Sequence, residues 1–161
     1  MDKNYLYAVA NIRANELSLL SRADIDALID APDYKTALTL LDGKGYDTSF
    51  GSDYSAMLDG DTEKTWSLIK SVAPSAEALD IFIVKNDFQN LKAVLKSEKT
   101  GDDAEKYLVS PSVIPKELLL KAVKERDFAS LPDFISGAAE KCLEVITKTE
   151  NGQLCDIAAD R

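Results

Sequence analysis

An all-α fold is predicted by three observations. Apolar residues recur at helical spacing in every long segment, alternating β-branched runs are absent, and proline, glycine and capping residues punctuate the pattern at helix-length intervals.

The first helix is expected over Asn4 to Leu20, with Tyr5, Leu6, Val9, Ile12, Leu17, Leu19 and Leu20 on one broad apolar stripe. Ser21-Arg22-Ala23-Asp24 reads as a capping box, with an acid three residues after the hydroxyl. It opens a short helix carrying Ile25, Leu28 and Ile29, and Pro32 suits the first turn of the next helix. That helix carries Ala37, Leu38, Leu40 and Leu41 and stops at Gly43 and Gly45. A longer helix is expected from about Asp53 to Val72.

Pro74 then opens the strongest periodic stretch. Ile81, Val84, Phe88, Leu91 and Leu95 follow at spacings of 3, 4, 3 and 4, which predicts one seam on a continuous helix of about six turns ended by Gly101. Residues 101–112 form a polar connection, Pro111 and Pro115 bracket a turn, and Pro115 can start a helix running through Val123. Asp133 to Thr147 is amphipathic and is broken by Asn151-Gly152. The terminal run from Asp156 to Arg161 carries no stop signal and reads as a helix cut short. A weak internal repeat lays Ala27–Leu41 on Lys121–Ile135, matching Asp33-Tyr34 with Asp127-Phe128, and Ile12-Arg13-Ala14 resembles Leu91-Lys92-Ala93.

Composition narrows the function classes. No apolar run approaches the roughly 20 residues that span a bilayer, and Met1-Asp2-Lys3-Asn4 lacks the basic region and apolar core of a signal peptide, so a soluble intracellular protein is the expectation. The chain has no histidine, hence neither the commonest general base near neutral pH nor the commonest metal ligand. Cys142 and Cys155 lack CxxC spacing and read as reduced structural thiols. A net charge of −9 argues against nucleic acid, which needs a basic face. The acid is concentrated in residues 1–63, where twelve Asp/Glu against five Lys/Arg leave −7. A solvated acidic surface, or one that receives a basic partner, accounts for it.

No nucleophile elbow, phosphate loop or metal-ligand cluster is present. Gly43-Lys44-Gly45 lacks the rest of a phosphate loop and reads as a helix stop. Asp24, Asp26, Asp30 and Asp33 lack the glycine and terminal glutamate of a calcium loop. Two polar features stand out. Arg13 and Glu16 sit within or beside the first apolar stripe, so Arg13 is expected to be largely buried against a carboxylate, Glu16 or Asp87, and Arg13→Ala to destabilise by about 2–5 kcal/mol. In Asp87-Phe88-Gln89-Asn90-Leu91-Lys92, the seam residues Phe88 and Leu91 are flanked by Asp87 and Asn90 on one shared face. Lys92 falls with Lys85, Gln89 and Lys96 on a polar face. The residues alone imply an inter-helix hydrogen-bond network beside a solvated lysine stripe, in a helical domain suited to binding.

The run Tyr5-Leu6-Tyr7-Ala8-Val9-Ala10-Asn11-Ile12-Arg13-Ala14-Asn15-Glu16-Leu17-Ser18-Leu19-Leu20 resembles the opening of the C-type subunits of bacterial and archaeal V/A-type rotary ATPases, whose eukaryotic equivalents are the d-type subunits. That opening has a Tyr-x-Tyr-Ala start, an Ile/Val-Arg-Ala core, a Glu and a Leu-Leu end; Asn11 stands where Ala or a basic residue is frequent. Leu28-Ile29 and Ala37-Leu38 through Tyr46 continue the first lobe, and Asp87-Phe88-Gln89-Asn90-Leu91-Lys92 resembles the second characteristic stretch. The resemblance covers the whole chain but about half of the family's length. It implies helical lobes related by a pseudo-symmetric repeat, part of a three-lobed funnel, with 1–73 the first lobe and 74–161 the long helix and a truncated second lobe. It further implies a non-catalytic part of the central stalk, cytoplasmic and peripheral to the membrane. Such a protein links central shaft subunits to the proteolipid ring for ATP-linked proton or sodium transport. Tyr5, Tyr7, Arg13, Glu16, Asp87, Asn90 and Lys92 are then structural motif residues, with no catalytic, cofactor or metal role. Apolar surface facing the rest of such a funnel would be exposed here and would favour self-association. Two other readings stand beside this one: a free-standing helical adaptor that binds an amphipathic partner helix, and an enzyme working through carboxylates alone.

Overall fold

A computed structural model of the chain describes residues 3–160; Met1, Asp2 and Arg161, on which the readings of the two termini partly rest, lie outside the described residues. Those residues form eight α-helices and four short 3-10 stretches, with no strand among them. The expected all-α class therefore holds. The chain divides into two compact units, with the division between Ala78 and Leu79.

In the first unit, α1 spans Lys3–Glu16, α2 Arg22–Ile29, α3 Tyr34–Asp42 and α4 Tyr54–Val72. The first helix ends one turn earlier than its apolar pattern predicts. Leu17, Ser18 and Leu19 donate their N–H groups to the carbonyls of Ala14, Asn15 and Glu16, three residues back, which tightens the chain into a turn. The apolar stripe is also not a buried face within this unit. Ala8 is buried, whereas Tyr5, Leu6, Tyr7, Val9, Leu17 and Leu19 are exposed.

The capping box at the start of α2 is present. Asp24 N–H donates to Ser21 Oγ at 3.2 Å, and Ser21 N–H donates to the Asp24 carboxylate at 2.8 Å. Pro32 corrects its expected place: it precedes the N-cap rather than entering the helix, because the Asp33 carboxylate caps α3 by accepting from Thr36 N–H at 2.7 Å. Gly43 caps the far end of α3, and a 3-10 turn over Thr48–Phe50 leads to Asp53, the N-cap of α4. The unit packs through α1 on α4 and α2 on α3, with Ala8, Met57 and Val72 as its buried apolar residues.

The continuous six-turn helix expected after Pro74 does not form. Residues 74–83 hold a 3-10 stretch over Glu77–Phe82, and the α-helix proper, α5, covers Val84–Thr100. Ile81, the first residue of the expected seam, is 73% exposed, while Ile83 is buried in its place. The reason is a bonding switch: Ile83 N–H donates to Asp80 O and Asn86 N–H to Ile83 O, both three residues back, which rotates the chain before the regular helix begins. From Phe88 onward the seam is as read, and Leu91, Val94 and Leu95 are buried. Gly101 ends α5 in the left-handed region at φ 79°, where a residue without Cβ is favoured.

A 3-10 turn over Ala104–Tyr107 follows, then α6 over Lys116–Glu125, opened by Pro115 as expected. After a 3-10 turn at Phe128–Ser130, α7 runs over Asp133–Thr149. Asn151-Gly152 breaks it but also starts α8, Gly152–Ala159, because the Asn151 side chain accepts from the N–H groups of Gln153 and Leu154. The terminal segment from Asp156 to Ala159 thus lies inside a capped helix. Helices α5, α6, α7 and α8 enclose one core built from Leu91, Leu95, Leu119, Val123, Ile135 and Cys142 with their apolar neighbours.

The two halves of the weak repeat share a helix–link–helix plan but differ at the matched pair. Asp33-Tyr34 caps and opens an α-helix with Tyr34 exposed, whereas Asp127-Phe128 opens a 3-10 turn with Phe128 buried.

Candidate functional site

Motif residues converge at the amino-terminal half of α5. Residues 86, 87 and 90 share a helical face by their i, i+3 and i+4 spacing, and that face meets the backbone of residues 109–114. Asp87 is fully buried and each of its oxygens takes one backbone donor: Val113 N–H at 3.1 Å and Ile114 N–H at 2.8 Å. Asn90 donates to Val109 O at 3.0 Å and accepts from Val109 N–H at 2.8 Å. Asn86 donates to Pro111 O at 2.7 Å. Desolvation raises the Asp87 carboxyl above its ordinary value, opposed by the two N–H donors. A buried carboxylate and a buried amide, both hydrogen-bonded to backbone, clamp an otherwise irregular segment.

The expected network is therefore present but joins α5 to a loop, not to a second helix. The motif as read omits Asn86; its position one turn before Asn90 is the signal that places it on the same face.

Lys92 points elsewhere. It is only 15% exposed and its Nζ lies 2.9 Å from Asp160 Oδ1. Lys96 pairs with Asp156 at 2.6 Å and Lys99 with Glu150 at 2.7 Å. Of the stripe read as solvated, Lys92 and Lys96 are instead tied to α8, a ladder that Lys99 extends to the end of α7, while Lys85 and Gln89 are exposed. The ladder's acids are legible in the sequence only as a descending series at 160, 156 and 150, complementary to lysines ascending from 92 to 99.

The opening motif stays on α1. Tyr5 and Tyr7 are exposed. Arg13 donates to Glu16 at 2.7 Å, one of its two expected partners, but its side chain is 74% exposed. This corrects the expectation of burial: the stripe around it is itself not covered within the unit, so nothing desolvates the guanidinium. Glu16 borders a groove of about 420 Å³ whose polar side also holds Lys44, Asp61 and Lys64. Lys44 bonds Asp24 at 2.8 Å. That bond, with those from Ser21, lowers the Asp24 carboxyl to about 2.

Among the described residues, no group of three or more Cys, Asp or Glu side chains is placed to hold a metal ion. Cys142 and Cys155 are buried free thiols, and Cys142 Sγ donates to Cys155 O at 3.6 Å. The hydrogen-bonded neighbour Cys155 and burial both push the Cys142 thiol up, away from the reactive thiolate. No helix among the described residues is long and apolar enough to cross a membrane.

A family model described as ATP synthase (C/AC39) subunit matches residues 8–161. The C-type subunit of the V-type sodium ATPase of Enterococcus hirae is 25% identical over 154 residues, which take in 93% of this chain and 47% of that protein. The chain thus spans about half the length of the curated relative it matches. No solved structure matches the chain.

Proposed function

This chain belongs to the ATP synthase C/AC39 subunit family, and on that premise we propose that it is a non-catalytic central-stalk component of a V/A-type rotary ATPase. In this role it couples the rotating shaft to the membrane proteolipid ring during ATP-linked ion transport. The observation that carries the reading is the family match running from residue 8 to residue 161, together with the all-helical fold. The relative belongs by name to a sodium ATPase, which supports sodium as the transported ion of the complex proposed here, with protons the alternative.

Two further features support the mechanical role. The buried polar residues Asp87 and Asn90 are spent on holding backbone, which stiffens a protein that must carry torque. The weak repeat fits an architecture of helical lobes about a pseudo-threefold axis, with 1–73 and 74–161 as contributions to a three-lobed funnel. The shaft enters the open end of that funnel and the ring sits against the closed end, so the protein works on the cytoplasmic side, held to the membrane by its partners. The excess of acid in residues 1–63 would steer a basic shaft end into place, while shape and apolar contact supply most of the affinity. Exposed Leu17, Leu19 and Ile29 supply apolar surface for those contacts, and for self-association of the chain when its partners are absent.

The test is a pull-down of the chain against purified shaft subunits at low and high salt. Capture that weakens with salt is expected. No capture at either salt refutes the coupling role, and an ATPase activity intrinsic to this chain overturns it.

A further inference from the structure

The second unit carries a groove of about 780 Å³ between α5, α7 and α8 that none of the contacts above fills. Its lining includes one aromatic patch: Phe88 of α5 and Phe134 of α7 lie with ring centroids 6.4 Å apart, and Phe134 is exposed. Its floor is made of small residues, Gly137 and Ala138 from α7 with Ala158 and Ala159 from α8, so another backbone can approach closely.

Its rim is basic in a chain of net charge −9. Lys85 and Lys141 are both exposed and neither forms an ion pair with a described residue. Two of the acids nearby are already held: Lys92 pairs with Asp160, and Glu144, one turn beyond Lys141, pairs with Lys148 and also feels Lys141.

We propose that this groove binds an amphipathic helix of a partner protein whose apolar seam lies on Phe88 and Phe134 and whose flanking residues are acidic, facing Lys85 and Lys141. An apolar trough with lysines on its rim is the complement of such a helix. The charge selects the partner and its orientation while the seam supplies the affinity. The inference stands on the geometry of the second unit and goes beyond the coupling role; it holds or fails whether or not the shaft is captured.

The probe is a fluorescent synthetic helix of about 18 residues, five turns, with a leucine seam and glutamate flanks. It is compared with the same seam flanked by lysine. The glutamate peptide is expected to bind the intact chain about tenfold more tightly than the lysine peptide, the size that a few surface pairs supply. The doubly reversed variant Lys85→Glu with Lys141→Glu is expected to invert that preference, and Phe134→Ser to weaken both peptides. All three positions are exposed, so these variants should fold, and an unchanged melting curve checks it. Equal binding of the two peptides, no binding of either, or a preference untouched by the charge reversal overturns the proposal. So does sedimentation in which the chain alone self-associates and the reversal disperses it, since the occupant would then be a second copy of this chain.

Discussion

Asn90 and Val109 satisfy each other in both directions: the amide of Asn90 donates to the carbonyl of Val109 at 3.0 Å and accepts from its N–H at 2.8 Å, as a paired strand would. Asn90 is buried at 1% exposure, whereas Val109 is exposed, so water can reach part of what the side chain leaves behind. Asn90→Ala is expected to destabilise the second unit by about 1–3 kcal/mol, from the loss of both bonds to Val109. Asn90→Asp should do comparable harm, because a carboxylate cannot donate to Val109 O. Urea titration measures both; a loss under about 0.5 kcal/mol for either would show that the segment is held by other contacts.

Asp87 offers an acceptor at each oxygen, and both face backbone donors. Asp87→Asn must turn an NH2 toward one of those N–H groups, so a cost of about 1–3 kcal/mol is expected despite the near-identical shape. Burial raises the carboxyl in the folded state above the unfolded value near 3.8. The protonated form is therefore favoured on folding. The contribution from this group is fully present below pH 3.8 and is lost as pH rises through the folded value. Carboxyl carbon NMR checks it: a midpoint for Asp87 below 3.8 would mean that the two N–H donors outweigh desolvation.

Asp24 has the opposite sign. Its bonds to Lys44 and Ser21 hold the folded carboxyl at about 2, against an ordinary 3.8. Its contribution is present above pH 3.8 and is lost as pH falls through about 2. Lys44→Met is expected to move the Asp24 titration upward and to leave Asp87 unchanged. An Asp24 midpoint that does not move would assign the shift to the capping box alone.

Arg13→Ala should cost under about 1 kcal/mol in the free chain, the range of exposed i, i+3 pairs, rather than the larger loss that burial would bring. Thermal or urea unfolding decides it. A loss above about 2 kcal/mol would mean that the guanidinium is covered in solution by surface that the first unit does not itself supply.

The helical class, most helix starts and the residues that matter on α5 are readable from the order of residues alone. Those features are local: a capping box closes within four residues, a glycine cap needs only its own φ, and Phe88, Leu91 and Leu95 repeat along one helix. The same local pattern misleads at Ile81 and over Leu17 to Leu20. There apolar spacing continues the helix, but the backbone turns to three-residue bonding, and Ile81, Leu17 and Leu19 stay exposed. Periodicity records which residues could share a face, not whether anything covers that face.

What each polar group meets is settled by packing. Asp87 and Asn90 are legible as a pair, yet their partners lie 19 to 27 residues away in a loop without periodic pattern, and are backbone atoms of a kind that nearly every residue possesses. Lys92 reads as a solvated side chain until α8 folds back and brings Asp160, 68 residues on, to 2.9 Å. Arg13 reads as a core charge until its stripe is found uncovered. Burial sets the strength of each such interaction, and burial is a property of the packed chain rather than of any one segment.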